Sequence, residues 1–290
     1  MTLRKFVGGN PGSDCKTSIA FAFDAGYAPY FRSLARSMIE HGTLIDCPII
    51  IYTADPEVFD DPFVAQVVDK KRIIEPALAE TLTIAARDTV RRPERAGWNL
   101  GTFLKWTVFE EQDTAQVLFL DVDMIFKAPI EPLLTYRRDK TFLCVPQFQK
   151  DIKELPDPEK GLQELIDGSM WGSHARRVNS GVMLIRGDLL SVAFRDELLA
   201  HAFNSKPAIN EQGHMSSYFG SNGRGSLRLM VSAKYNFQEG YLGSVDAEAQ
   251  KRLADQAVIL HYAGGAKPWE ADRDKLRVSQ AKWFDYAGAE

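Results

Sequence analysis

Cysteine is scarce. The 290 residues hold only Cys15, Cys47 and Cys144, an odd number at wide spacing. The paired cysteines of a structural zinc site and the dense pairing of a disulfide-stapled scaffold are both missing, so a reducing cytoplasm fits best. Cys47 and Cys144 lie in or beside apolar runs and read as small buried hydrophobes. An excess of charge is also lacking: 35 basic against 39 acidic residues leave a formal net charge of −4. That balance is too mild for a nucleic-acid or anionic-membrane surface, so an anionic ligand has to be held by a local site. No apolar run approaches the roughly 18 residues a membrane span needs. Met1 to Cys15 passes from Arg4 and Lys5 to Gly8, Gly9, Asn10, Pro11 and Gly12, without the apolar stretch of a secretory signal. There is no internal repeat, low-complexity tract, charge block or obvious linker, so the chain reads as one compact unit.

What is present describes an ordinary globular protein, with 45% hydrophobic, 26% charged and 11% aromatic residues. Ser18 to Phe23 reads as a buried strand ending at Asp24-Ala-Gly26. Phe31, Leu34, Ala35, Met38 and Ile39 then recur at helical spacing up to His41-Gly42, where glycine supplies a left-handed cap. Pro48 to Thr53 gives a second strand, and this strand-helix-strand opening predicts an α/β fold with a mostly parallel sheet under helices. From Asp60 to Leu100 we expect loops and short helices, with a basic cluster at Arg87, Arg91, Arg92 and Arg95. Gly101 to Gln112 reads as a helix, and Val117 to Leu120 and Thr141 to Val145 as strands. Gln147 to Arg177 reads as an irregular excursion, Val182 to Ile185 as a strand, Asp188 to Phe203 as a helix and Ala257 to Leu260 as a last strand.

Three features can carry chemistry. Asp121-Val122-Asp123 follows an apolar strand, at the sheet edge where open parallel sheets place ligands. Two carboxylates this close repel unless a cation joins them, and hard oxygen ligands suit Mg²⁺ or Mn²⁺. The competing reading is a strand-end turn in which they cap backbone amides. His261-Tyr-Ala-Gly264-Gly265-Ala-Lys267-Pro268-Trp269 also follows a strand. It pairs an imidazole with a cation across a glycine loop able to approach a phosphate. Asn179-Ser180-Gly181 reads as a turn ahead of a strand. Glu211-Gln212 opens a short helix, and Lys105 sits on the helix before the aspartates, where most lysines are solvated surface charges.

Taken in order, Asp24 to Tyr27, Lys105, Asp121 with Asp123, Asn179 with Gly181, Glu211 with Gln212, and His261 to Trp269 resemble glycosyltransferase family 8. That family includes glycogenin and the bacterial lipopolysaccharide galactosyl- and glucosyltransferases. The resemblance spans about Ile19 to Trp269, and the pair Asp-x-Asp and His-x-x-Gly-x-x-Lys-Pro-Trp is its specific part. It implies a GT-A fold in one domain: a nucleotide-binding half over about 18–125, a sugar- and acceptor-binding half over about 126–270, and a helical tail over 271–290. It implies transfer of a hexose from a UDP-sugar with retained configuration. Asp121, Asp123 and His261 would then coordinate Mn²⁺ or Mg²⁺, and Lys267 with the amides around Gly264 would hold the diphosphate. Asp24 and Tyr27 match positions that bind the uracil, and Lys105 and Val122 positions near the donor. Asn179, Gly181, Glu211 and Gln212 match the donor-sugar site, where Gln212 or Glu211 would serve the reaction itself. Gly26 stands where many members carry a polar residue and Glu211 where aspartate is usual.

Two other functions stay open at this stage: a non-catalytic nucleotide-sugar-binding protein of the same fold, and a metal-dependent phosphohydrolase. The second is disfavoured because its acidic pair belongs near the first strand, whereas this one lies past residue 120. The expected acceptor is a saccharide or glycolipid met by variable loops. The short patch Lys282, Trp283, Phe284 and Tyr286 is expected to pack on the domain.

Overall fold

Strands apolar on both sides are buried only where helices cover both faces of a sheet. The computed structural model describes residues 3–7, 16–92, 94, 96–147, 152, 154–169, 177–221, 228–264 and 267–288. In it the strands β1 (Thr17–Ala22), β2 (Ile49–Thr53), β3 (Lys70–Ile73), β4 (Gln116–Leu120), β6 (Phe142–Pro146), β7 (Val178–Arg186) and β8 (Arg228–Met230) build one sheet in the order β3-β2-β1-β4-β7-β6-β8. All run parallel except β7, which lies antiparallel between β4 and β6. Alternation sorts their side chains onto two cores. Ile19 and Phe21 face α1 (Ala28–Glu40) and its Phe31, Leu34 and Met38. Ala20, Ile50 and Phe119 face Phe103, Trp106 and Phe194 on the other side. Gly42 at φ +60° ends the region after α1 as its position foretold.

From β1 the sheet grows to β2 and β3 on one side and to β4 on the other, which opens a crevice at the carboxyl ends of β1 and β4. Asp24 and Asp121 stand at those two ends. After β4 the chain leaves the large sheet through Asp121-Val-Asp123 and enters β5 (Met124–Phe126). With β9 (Phe237–Gln238) and β10 (Ile259–His261) it forms a second, three-stranded sheet ordered β5-β10-β9.

Several sequence expectations need correction. Residues 60–100 hold more order than loops and short helices: α2 (Pro62–Val67), the edge strand β3, and the 13-residue α3 (Pro76–Asp88). The next helix, α4 (Ala96–Leu104), starts earlier than Gly101 and passes at Lys105 into a 3₁₀ segment. The excursion after Gln147 contains a helix, Pro158–Ile166, begun by Asp157 accepting from the Lys160 amide at 3.0 Å. Asn179-Ser-Gly181 is not a turn; it lies inside β7. Cys47 is disulfide-bonded rather than a free buried thiol, so cysteine usage lends no support to a reducing compartment, while Cys144 is free and buried. Arg95 lies outside the described residues. In the tail, Trp283 and Tyr286 are buried against the domain as anticipated. Among the described residues no helix is long and apolar enough to cross a membrane.

Candidate active site

The pairing of β5 with β10 decides the site. They run antiparallel with His261 opposite Met124, and the Tyr262 amide donates to the Asp123 carbonyl at 2.9 Å. Residues about 140 positions apart in sequence are thereby held side by side. His261 Nε2 lies 3.1 Å from Asp123 Oδ1 and 3.9 Å from Asp121 Oδ2. One ligand atom from each of the three residues falls within 4.8 Å of the others, which can hold a metal ion.

Two lysines hold the carboxylates from outside. Lys105 is not a solvated surface charge. It is 5% exposed, and its Nζ donates to Asp121 Oδ1 at 2.8 Å and to Ser180 Oγ at 3.1 Å and lies 3.5 Å from Glu211 Oε1. Lys267 Nζ contacts Asp123 Oδ2 and donates to the Tyr262 carbonyl at 2.8 Å. Asp123 thus gives one oxygen to Lys267 and turns the other toward His261, whereas Lys105 donates to both oxygens of Asp121, reaching Oδ2 at 3.2 Å. Burial opposes ionisation of Asp123 most strongly, but His261 and Lys267 together outweigh it and hold its carboxyl far below the ordinary range. For Asp121, burial and the neighbouring Asp123 charge prevail over Lys105 and push its pKa up. Burial also works against the charge on Lys105, and Asp121 and Glu211 more than compensate, so its pKa rises.

A cavity of about 380 Å³ opens over this cluster. Asp24, Tyr27, Lys105, Asp121, Val122, Asp123, Asn179, Glu211, Gln212, His261, Gly264 and Lys267 all line it. Gly181 is not among the lining residues. It lies beneath the imidazole, where a Cβ would stand 2.5 Å from His261 Cε1 and 2.8 Å from Nδ1. The Tyr27 ring is half exposed at the mouth and meets Tyr30 edge-on at 5.4 Å; Tyr30 stacks on Trp269 at 4.0 Å. Burial, then Asp123 and Asp24, raise the Tyr27 pKa, so its hydroxyl stays neutral. Gly264 adopts φ +90°, a conformation that side-chain-bearing residues rarely take; Gly265 is outside the described residues.

Glu211 does more than face a helix dipole. Its side chain is fully buried, Oε1 accepts from Ser180 Oγ at 2.6 Å, and Oε2 has no protein partner. Gln212 Oε1 accepts from the Ser180 amide at 3.1 Å. Sequence reasoning missed Gln147, Asn236 and Gln238. Asn179 Nδ2 donates to Gln147 Oε1 at 2.6 Å, Gln238 Nε2 donates to the same oxygen at 3.1 Å, and Asn236 joins Asn179 to His261. No local motif marks these amides, since only the parallel pairing of β9 with β10 brings Asn236 and Gln238 to the site.

An open α/β sheet with an acidic pair at its switch point, backed by a small second sheet that delivers an imidazole, defines the GT-A class of nucleotide-sugar enzymes. The sequence matches glycosyl transferase family 8 over residues 18–273, and the chain belongs to that family. Solved structures share the fold at low identity. The WbbM bifunctional glycosyltransferase superposes with a TM-score of 0.61 at 15% identity, over 96% of this chain and 50% of that one. The glycosyltransferase GlyE of Streptococcus pneumoniae gives 0.60 at 16%, over 94% and 61%. The galactosyltransferase LgtC, solved with donor and acceptor sugar analogues, gives 0.56 at 19%, over 93% and 95%. The chain therefore spans about half of WbbM and under two thirds of GlyE. No curated protein sequence matches it significantly.

Proposed function

We propose that the chain transfers a hexose from a UDP-sugar, UDP-glucose or UDP-galactose, to a saccharide or glycolipid acceptor, with retention of configuration at the sugar. The observation that carries this is the convergence of Asp121, Asp123 and His261, with both lysines, on one cavity. The donor set fits a divalent ion: one carboxylate oxygen from each aspartate and one imidazole nitrogen, all within 4.8 Å of one another. Mixed imidazole and carboxylate ligation favours Mn²⁺ over Mg²⁺, which prefers all-oxygen sites. When bound, such an ion offsets negative charge on the departing diphosphate.

The chain's own residues would do the rest. Residues 18–125 supply the nucleotide side, with Asp24 hydrogen-bonding the uracil and the Tyr27 ring stacking on it. Lys267 and the backbone around Gly264 hold the diphosphate as its charge grows; one lost donor of this kind typically costs on the order of 10² to 10³ in rate. Asn179 and Glu211 grip sugar hydroxyls, for which the unpartnered Glu211 Oε2 is suited. Gln212, fixed to the Ser180 amide, steadies positive character at the anomeric carbon. We favour attack by the acceptor on the same face as the leaving group. Glu211, tied to Lys105 and Ser180, is poorly placed to act as a free nucleophile. A glycosyl adduct trapped on Glu211 and seen by mass spectrometry would overturn that preference.

The decisive test is UDP release across a panel of UDP-sugars with Mn²⁺, with and without saccharide and glycolipid acceptors. The reading expects release for at least one hexose donor and none for Asp123→Ala. Donor binding without release across the panel would leave nucleotide-sugar binding as the function. Full turnover by Asp123→Ala would refute the metal site.

A further inference from the structure

A ring nitrogen can bind a metal only if its lone pair is free, and the other nitrogen's hydrogen bond decides which one that is. Here the decision traces back to one backbone group. The Gly181 amide is a donor and nothing else, so the Asn179 side-chain atom 2.9 Å away is Oδ1. Asn236 approaches that same oxygen at 2.6 Å, and a carbonyl accepts, so Asn236 must present Nδ2. Its Oδ1 then faces His261 Nδ1 at 2.7 Å, a contact that exists only if Nδ1 carries hydrogen. Nε2 is left facing Asp123 Oδ1 at 3.1 Å. Asn236 and Asn179 are buried, so water does not substitute for either amide.

We infer that Asn236 is the positioning residue of the metal site: by accepting the Nδ1 hydrogen it fixes the His261 tautomer and ring plane, so that Nε2 joins Asp121 and Asp123 as a ligand. This rests on the proposal that the three residues hold a divalent ion. Outer partners of ligating histidines are worth on the order of 10- to 100-fold in metal affinity. Asn236→Ala removes the acceptor. Asn236→Asp keeps an oxygen for Nδ1–H but loses the donor to Asn179, so it should cost stability and spare the ligand.

Two readouts separate these roles. Mn²⁺ titration, by calorimetry or electron paramagnetic resonance, should show 10- to 100-fold weaker binding for Asn236→Ala and binding within a few-fold of the original chain for Asn236→Asp. In the metal-free protein, ¹⁵N-histidine spectra should show a solvent-protected proton on His261 Nδ1 in the original chain and in Asn236→Asp, and lose it in Asn236→Ala. Undiminished Mn²⁺ binding or a retained Nδ1 proton in Asn236→Ala overturns the inference. So does equal loss of binding in both variants, which is what a purely structural side chain gives. If the original chain binds no Mn²⁺ at all, the metal site itself fails, while the spectra still judge the tautomer.

Discussion

Gly181→Ala is a one-carbon change that tests the site's geometry with little other disturbance. Gly181 lies within β7 and has no positive φ, so alanine meets no backbone strain there. The new methyl would stand 2.5 Å from His261 Cε1, 2.8 Å from Nδ1 and 3.0 Å from Asn179 Oδ1. Carbon atoms rest about 3.5 Å apart or more, so the imidazole has to retreat by about 1 Å. That retreat changes the distances of Nε2 to the carboxylates and of Nδ1 to Asn236. Overpacking of this kind costs about 1–3 kcal/mol of stability, and a 1 Å misplacement at a reacting site costs on the order of 10² in rate. Thermal unfolding should therefore fall by a few degrees, while Mn²⁺ affinity and UDP release fall by one to two orders of magnitude. A Gly181→Ala protein with unchanged Mn²⁺ affinity and turnover would refute the placement of His261 against β7.

Other consequences follow from the charges. Buried Glu111 receives Lys70 and Arg72, and these outweigh the opposing effect of burial to hold its carboxyl below the usual range. A carboxyl depressed on folding adds stability above its unfolded pKa near 4.3, and loses it as pH falls through the folded value. Glu111→Gln should thus cost roughly 1.5–3 kcal/mol at neutral pH, and the cost should vanish in acid-titrated denaturation curves. Lys105→Met leaves Asp121 and Glu211 facing each other in the interior and should lower the melting temperature. Lys267→Met removes a donor to the diphosphate and should lower kcat for UDP release by on the order of 10² to 10³, with calorimetry and steady-state UDP release telling the two variants apart. Burial pushes the Cys144 thiol up to about 12; peptide mapping after thiol labelling at pH 8 should find it unmodified in the folded chain and labelled in denaturant.

The acidic pair and the His261 loop were visible in the sequence because each is a polar cluster directly after a short apolar run, and strand ends are where sheets expose such groups. What joins them was not visible. The β5–β10 register is a long-range pairing of two three-residue strands, too short to leave a periodic signal. Asn179-Ser-Gly181 misled for a local reason: these residues favour turns by offering side-chain bonds to nearby amides, and Asn179 does bond the Gly181 amide, but within β7, at the irregularity in its pairing with β6. The helix α3 was obscured by Thr81 and Thr83, which break the apolar rhythm; both hydroxyls bond back to carbonyls four residues earlier. The strand β3 alternates half-buried and exposed residues of the sequence Lys-Lys-Arg-Ile; Lys70 and Arg72 meet Glu111 and Asp113, while Lys71 lies over the Phe59 ring.

The route by which Asp123 meets His261 also makes the small sheet's packing part of the site. Tyr262, next to His261, donates its amide to Asp123 and its hydroxyl to the Ser279 carbonyl at 2.8 Å, and its ring meets Trp283 edge-on at 5.4 Å. Ser279 Oγ donates to buried Glu239, which also receives Arg277 Nε at 2.6 Å, so the tail is bolted to the segment that follows β9. Asn236 and Gln238 lie just before that segment, Asn236 ahead of β9 and Gln238 within it. A disturbance of the tail would reach the imidazole from two directions, through Tyr262 behind it and through Asn236 beside it. Asp121, held at the end of β4 by Lys105, would stay where it is, whereas Asp123, bonded to Tyr262 and Lys267, belongs to the small sheet. The distance between Nε2 and Asp121 is therefore set by how firmly one sheet sits on the other, and the tail, whose described residues contribute no side chain to the cavity lining, helps to fix it.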